Sequence, residues 1–224
     1  SFFALQNSPS TSSTLNFGNL TVSGLLTGGS AGAPVFTLGS SGTNLFPSSG
    51  LTLNVLGGLQ NLGTISTPGL LTVNTGSMIN SGTLSAASVM VNSQGTFANS
   101  GSIFASAGNI GLNALNGNFV NSGMINAIAG SVNINSAATA MASNVVFNNA
   151  GGSISANSGV IDFRTADFTD KADIDFLGGS LSAQAINFSG GKGNVTVDTE
   201  SLSGVVNSSG YNIKLSSLSD ITIG

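Results

Sequence analysis

The chain has 224 residues, enough for one domain or two, but only 5% of them are charged and the formal net charge is −4. With no Cys and no His, thiolate nucleophiles, zinc sites and imidazole-based triads are excluded. Four basic residues cannot neutralise a run of phosphates, which argues against nucleic acid and anionic membranes as partners.

From the N-terminus, residues 1–14 read as an arm. Phe2, Phe3, Ala4 and Leu5 are apolar and a Ser/Thr/Pro tract follows. The arm is expected to cap the first coil of its own chain or to insert into a neighbouring subunit. Phe17, Phe36 and Phe46 add to an aromatic-rich first quarter, read as closure of the core's end. Gly28-Gly29-Ser30-Ala31-Gly32 has the spacing of a nucleophile elbow, but no His exists to serve its serine as base, and the match is set aside. A start at Ser1 in a chain without Cys suggests an exported protein whose signal peptide has been removed. No apolar run reaches the roughly 20 residues of a spanning helix.

A repeat then begins. Leu51-Thr52-Leu53-Asn54, Leu71-Thr72-Val73-Asn74, Val89-Met90-Val91-Asn92, Ile110-Gly111-Leu112-Asn113 and Val132-Asn133-Ile134-Asn135 each pair two apolar residues around another and close on Asn. Between them runs a second element. It reads Asn61-Leu62-Gly63-Thr64-Ile65, Asn80-Ser81-Gly82-Thr83-Leu84, Asn99-Ser100-Gly101-Ser102-Ile103 and Asn121-Ser122-Gly123-Met124-Ile125, with a looser copy from Asn149 to Ile154. Extending the first element places further starts at Leu20, Ile161, Ile186 and Ile213, in steps of 18 to 31 residues.

Alternation with period two, cut by Asn-Gly, Ser-Gly and Gly-Gly, predicts short strands with one buried face. No stretch holds 3.6-residue apolar spacing for three turns, so helix is not expected. Such steps suit a single parallel β-helix, an all-β solenoid of about nine coils and roughly 40 Å in length at the usual strand spacing. Equivalent residues then stack. Asn54, Asn74, Asn92, Asn113 and Asn135 are predicted to form one amide ladder, and Asn61, Asn80, Asn99 and Asn121 another. The Gly two places after each Asn of the second ladder is expected to supply a turn conformation that other residues avoid. An antiparallel sandwich also uses short strands but would not require Asn to recur in place.

All charge lies between Asp162 and Asp220, dividing uncharged coils over 15–161 from charged coils of the same solenoid over 162–224. Asp162, Arg164, Asp167, Asp170, Lys171, Asp173 and Asp175 make the densest polar cluster. Asp167, Asp170, Asp173 and Asp175 are the candidate calcium ligands, but Asp173 and Asp175 alternate with Ile174 and Phe176, so a solvated strand is the preferred reading. No cofactor is expected. Gly190-Gly191-Lys192-Gly193-Asn194 opens like a calcium-binding nonapeptide, but Val195 stands where Asp is needed, which leaves a glycine-rich turn. Asn19, Asn187, Asn194 and Asn207 begin glycosylation sequons that this composition supplies by chance. Ile213, Leu215, Leu218, Ile221 and Ile223 carry the strand pattern to the C-terminal end.

The repeat over 51–154 resembles the β-helical repeats of filamentous-haemagglutinin-like bacterial adhesins and exoproteins. That resemblance implies a right-handed β-helix, export to the cell surface, and a part in adhesion, biofilm or filament formation. The Asn-Pro-Asn secretion signature of those proteins is not present in this sequence. The expected function is therefore a non-enzymatic extracellular structural protein. Its partners would be further copies of itself, head to tail through Phe2, Phe3, Leu5, Ile221 and Ile223, and surface glycans or other matrix components. A carbohydrate-binding or carbohydrate-cleaving β-helix using the acidic cluster is the alternative. An ice-binding solenoid is weaker, because outward Thr52 and Thr72 give way to Met90, Gly111 and Asn133.

Overall fold

In the computed structural model, the described residues are 13–17, 20–22, 25–28, 43–45, 50–115, 118–135, 145–164 and 173–223. They form a parallel β-solenoid of about seven turns. All 23 strands among the described residues join one hydrogen-bonded system, and every pairing between them is parallel. No described residue is helical.

Register sorts the strands into three stacks. The first carries 50–55, 70–75, 88–93, 110–114 and 132–134, with Leu51, Leu71, Val89, Ile110 and Val132 in line, and continues through Ile161, Ile186 and Val206. The second aligns Leu59, Met78, Phe97, Phe119, Phe147, Phe176, Val197 and Leu215. The third aligns Ile65, Leu84, Ile103, Ile125, Ile154, Leu181 and Leu202. These rows point inward and are buried over most of their length, forming a single core.

Two of the expected starts belong elsewhere. Leu20 pairs with Leu59 and Ile213 with Val195, both in the second stack, whereas among the described residues the first stack runs from Ser13 opposite Leu51 to Val206 below Ile186. An apolar pair around a polar residue is common to all the stacks, so that pattern alone does not tell one from another. Between the first and second stacks, strands 50–61 and 70–80 turn the corner without leaving extended conformation, and their pairing shifts register from Val55 to Gly58.

Aromatic residues fill the later coils. Phe97 and Phe119 stack with centroids 4.9 Å apart, and Phe147, Phe163, Phe176 and Phe188 extend the contact mostly edge to face. Phe163 and Phe188 belong to the first stack and the others to the second, so the rings tie two stacks together across the core. The charged coils continue the uncharged ones directly, with Ile161 below Val132 and Ile174 below Val145.

Candidate functional site

The most regular chemistry in the molecule is its amide ladders. Asn61, Asn80, Asn99, Asn121 and Asn149 point inward at the corner between the second and third stacks and are essentially inaccessible to solvent. Each Nδ2 donates to the Oδ1 of the Asn one coil nearer the C-terminal end, at 2.6, 2.6, 2.7 and 2.7 Å. The second Nδ2 hydrogen is available to backbone carbonyls such as Gly82 and Gly101. Asn149 ends the run on the carbonyls of Gly152 and Gly178, because glycine replaces Asn in the following coil.

The outer ladder has the opposite polarity. Asn74, Asn92 and Asn113 each donate to the Asn one coil nearer the N-terminal end, at 2.8 Å. Asn135 does not join it. It adopts φ 56°, its Oδ1 accepts from the Ala114 N–H, and its Nδ2 has no partner among the described residues.

The glycines that follow the inner ladder are required for a different reason from the one expected. Gly82, Gly101 and Gly123 have no positive φ. A Cβ on them would lie 1.9, 2.0 and 2.1 Å from the carbonyl oxygen of the glycine one coil above, so only glycine lets the coils stack this closely.

A third ladder carries the first charge. Asn207 donates to Asn187 at 2.8 Å and Asn187 to the Asp162 carboxylate at 2.5 Å, so a run of amides ends on a group that only accepts. Arg164 lies 3.8 Å from the same carboxylate, which is 15% exposed. Asp173 Oδ1 accepts the Asn194 N–H at 2.6 Å, and Asp175 sits outward between Val146 and Thr196. Asp167 and Asp170 lie outside the described residues. Among the described residues no three acidic side chains gather as a metal-holding group.

Sequence reasoning missed a feature of the third stack. Its two outward positions carry Thr64 and Ser66, Thr83 and Ser85, then Ser153 and Ser155, Ser180 and Ser182, Ser201 and Ser203 in register. Phe104, Met124 and Asn126 interrupt these hydroxyl ranks midway. The signal lies three and five residues after Asn61 and Asn80, and four and six after Asn149, where the changed spacing hides it.

At the C-terminal end the core is incompletely covered. Leu215 and Ile221 pack against it while partly exposed, Ile213 is 46% exposed and Leu218 88%. Phe2, Phe3 and Leu5 lie outside the described residues. Ile223 is placed as strand below Val206, and its side chain is not described.

These features define a β-solenoid repeat protein with a parallel β-helical core. Compared with protein-family models, curated proteins and solved structures, the chain matches none.

Proposed function

We propose that this chain is a non-enzymatic structural segment of an extracellular rod. In this reading it is a right-handed β-helix serving as a surface adhesin or as a subunit of a filament or biofilm matrix, with copies meeting end to end. The observation that carries this reading is the inner Asn ladder: Asn61, Asn80, Asn99, Asn121 and Asn149 commit their buried amides to bonds from one coil to the next. Strands 13–17 and 213–217 pair with their neighbours in parallel, and the same parallel pairing is what would join one copy to the next.

Strands 13–17 and 20–22 lie in the first and second stacks, parallel to residues 50–61, so a second copy would continue these stacks in the same direction. A head-to-tail contact of this kind repeats without closing and builds a line of subunits. The carboxylates are engaged in holding coils together, Asp162 by Asn187 and Asp173 by the Asn194 N–H, which favours a structural over a catalytic reading of the acidic cluster.

Negative-stain micrographs of the purified chain should show fibres of uniform width. Lys at Leu218 and Ile221 should reduce them to single rods in light scattering while the β-type circular dichroism persists. Isolated short rods from the unaltered chain at high concentration would overturn end-to-end assembly.

A further inference from the structure

The only tyrosine of the chain stands in a cleft on the side of the rod. Two corner segments, 190–194 and 210–212, stack between the first and second strand stacks. Tyr211 N–H donates to the Gly193 carbonyl at 2.7 Å, Val195 N–H to the Asn212 carbonyl at 2.8 Å, and Gly193 N–H closes the upper turn on Gly190 at 2.9 Å. Asp173 fixes the upper corner again through the Asn194 N–H. The cleft between them has a volume of about 450 Å³ and is lined by Asp173, Lys192, Gly193, Asn194, Tyr211 and Asn212.

Its groups are of three kinds. Tyr211 is 81% exposed, so its ring offers a bare apolar face where burial would have been favourable. Asn212 Nδ2 donates to Asn194 Oδ1 at 2.9 Å, which fixes both amides. That bond leaves the Asn194 Nδ2 hydrogens as donors and Asn212 Oδ1 as an acceptor, side by side. Asp173 and Lys192 bring one charge of each sign, so the cleft favours neither an anion nor a cation.

We propose that this cleft is a subsite for a neutral saccharide, with the C–H face of a pyranose on Tyr211 and a pair of adjacent hydroxyls on Asn194 and Asn212. A vicinal diol donates and accepts at once, as this amide pair does. A concave site with one apolar face and a few fixed polar groups is the usual form of a small-ligand site. The cleft lies between the last two described coils, beside strand 213–217; Lys at Leu218 and Ile221 leaves its lining residues unaltered, so saccharide binding measured in that variant is read apart from assembly.

Because the chain has one Tyr and no Trp, its intrinsic emission reports on this cleft alone. Titration of the full chain with neutral gluco-, manno- and galacto-oligosaccharides should give a saturable change in tyrosine emission for at least one series. Calorimetry should then show binding weakened about tenfold or more in Tyr211→Ala and in Asn212→Ala, a loss of roughly 1.4 kcal/mol or more. Tyr211→Phe, which keeps the ring and the fold, should bind within a few-fold of the unaltered chain. The proposal is overturned by the absence of saturable response to every neutral series, by binding undiminished in Tyr211→Ala, or by a response confined to sulfated or uronic sugars, which would point to Lys192 instead.

Discussion

The two amide ladders differ in burial, and burial sets what each bond contributes. Asn99 receives the Asn80 donor and supplies the Asn121 acceptor where no water reaches. Asn99→Ala leaves both neighbours short of a partner in the interior, and a loss of about 3 kcal/mol is expected. Asn74, half-buried on the outer ladder between the equally half-buried Asn54 and Asn92, leaves neighbours that water can serve, so Asn74→Ala should cost less than about 1 kcal/mol. Denaturant midpoints of the two variants measure the difference, and equal losses would refute the distinction.

Two glycines separate crowding from backbone conformation. Gly101 has ordinary φ but no room for a Cβ, whereas Gly151 has φ 73° and nothing within 4 Å of the added atom. Gly101→Ala must push two coils apart and should cost about 3 kcal/mol. Gly151→Ala meets only the left-handed penalty of about 1 kcal/mol. Thermal or denaturant unfolding of the pair tests the ordering.

At the level of elements, period-two alternation decides which side of each strand is buried, and register with the neighbouring coils decides what each inward residue meets. Phe119 lies between Phe97 above and Phe147 below, its ring 4° from parallel with that of Phe97. Phe119→Ala removes a fully buried ring from this row and should destabilise by about 3–5 kcal/mol. Phe119→Leu should cost much less, because Leu59 and Met78 hold the equivalent place in earlier coils. Urea melts followed by circular dichroism distinguish the two.

For the whole molecule, cohesion comes from contacts between successive coils, without disulfides and with a single ion pair among the described residues. The charged end is stitched by Asp162, Asn187 and Asn207 through direct hydrogen bonds. Treatment with a calcium chelator is therefore expected to leave the melting temperature unchanged. A fall of many degrees would place a cation among the carboxylates, since a ligand bound only to the folded chain raises its stability.

Read alone, the sequence determined the strand class, the inward and outward sides of residues 51–134, and the members of both ladders apart from Asn135, which does not join the outer one, and Asn149, which extends the inner one. These follow from short-range alternation and from repeated residue types, which any parallel stacking brings together. Tertiary structure decided the rest. Leu20 and Ile213 belong to the second stack because corner lengths, not local pattern, fix which strands meet. Gly82 and Gly101 are required by a carbonyl 19 residues away in sequence, and no local rule could supply that reason. The opposed polarity of the ladders, the departure of Asn135, the hydroxyl ranks of the third stack and the pairing of Asn212 with Asn194 all depend on which coil lies above which. That relation exists only once the chain has wound back on itself.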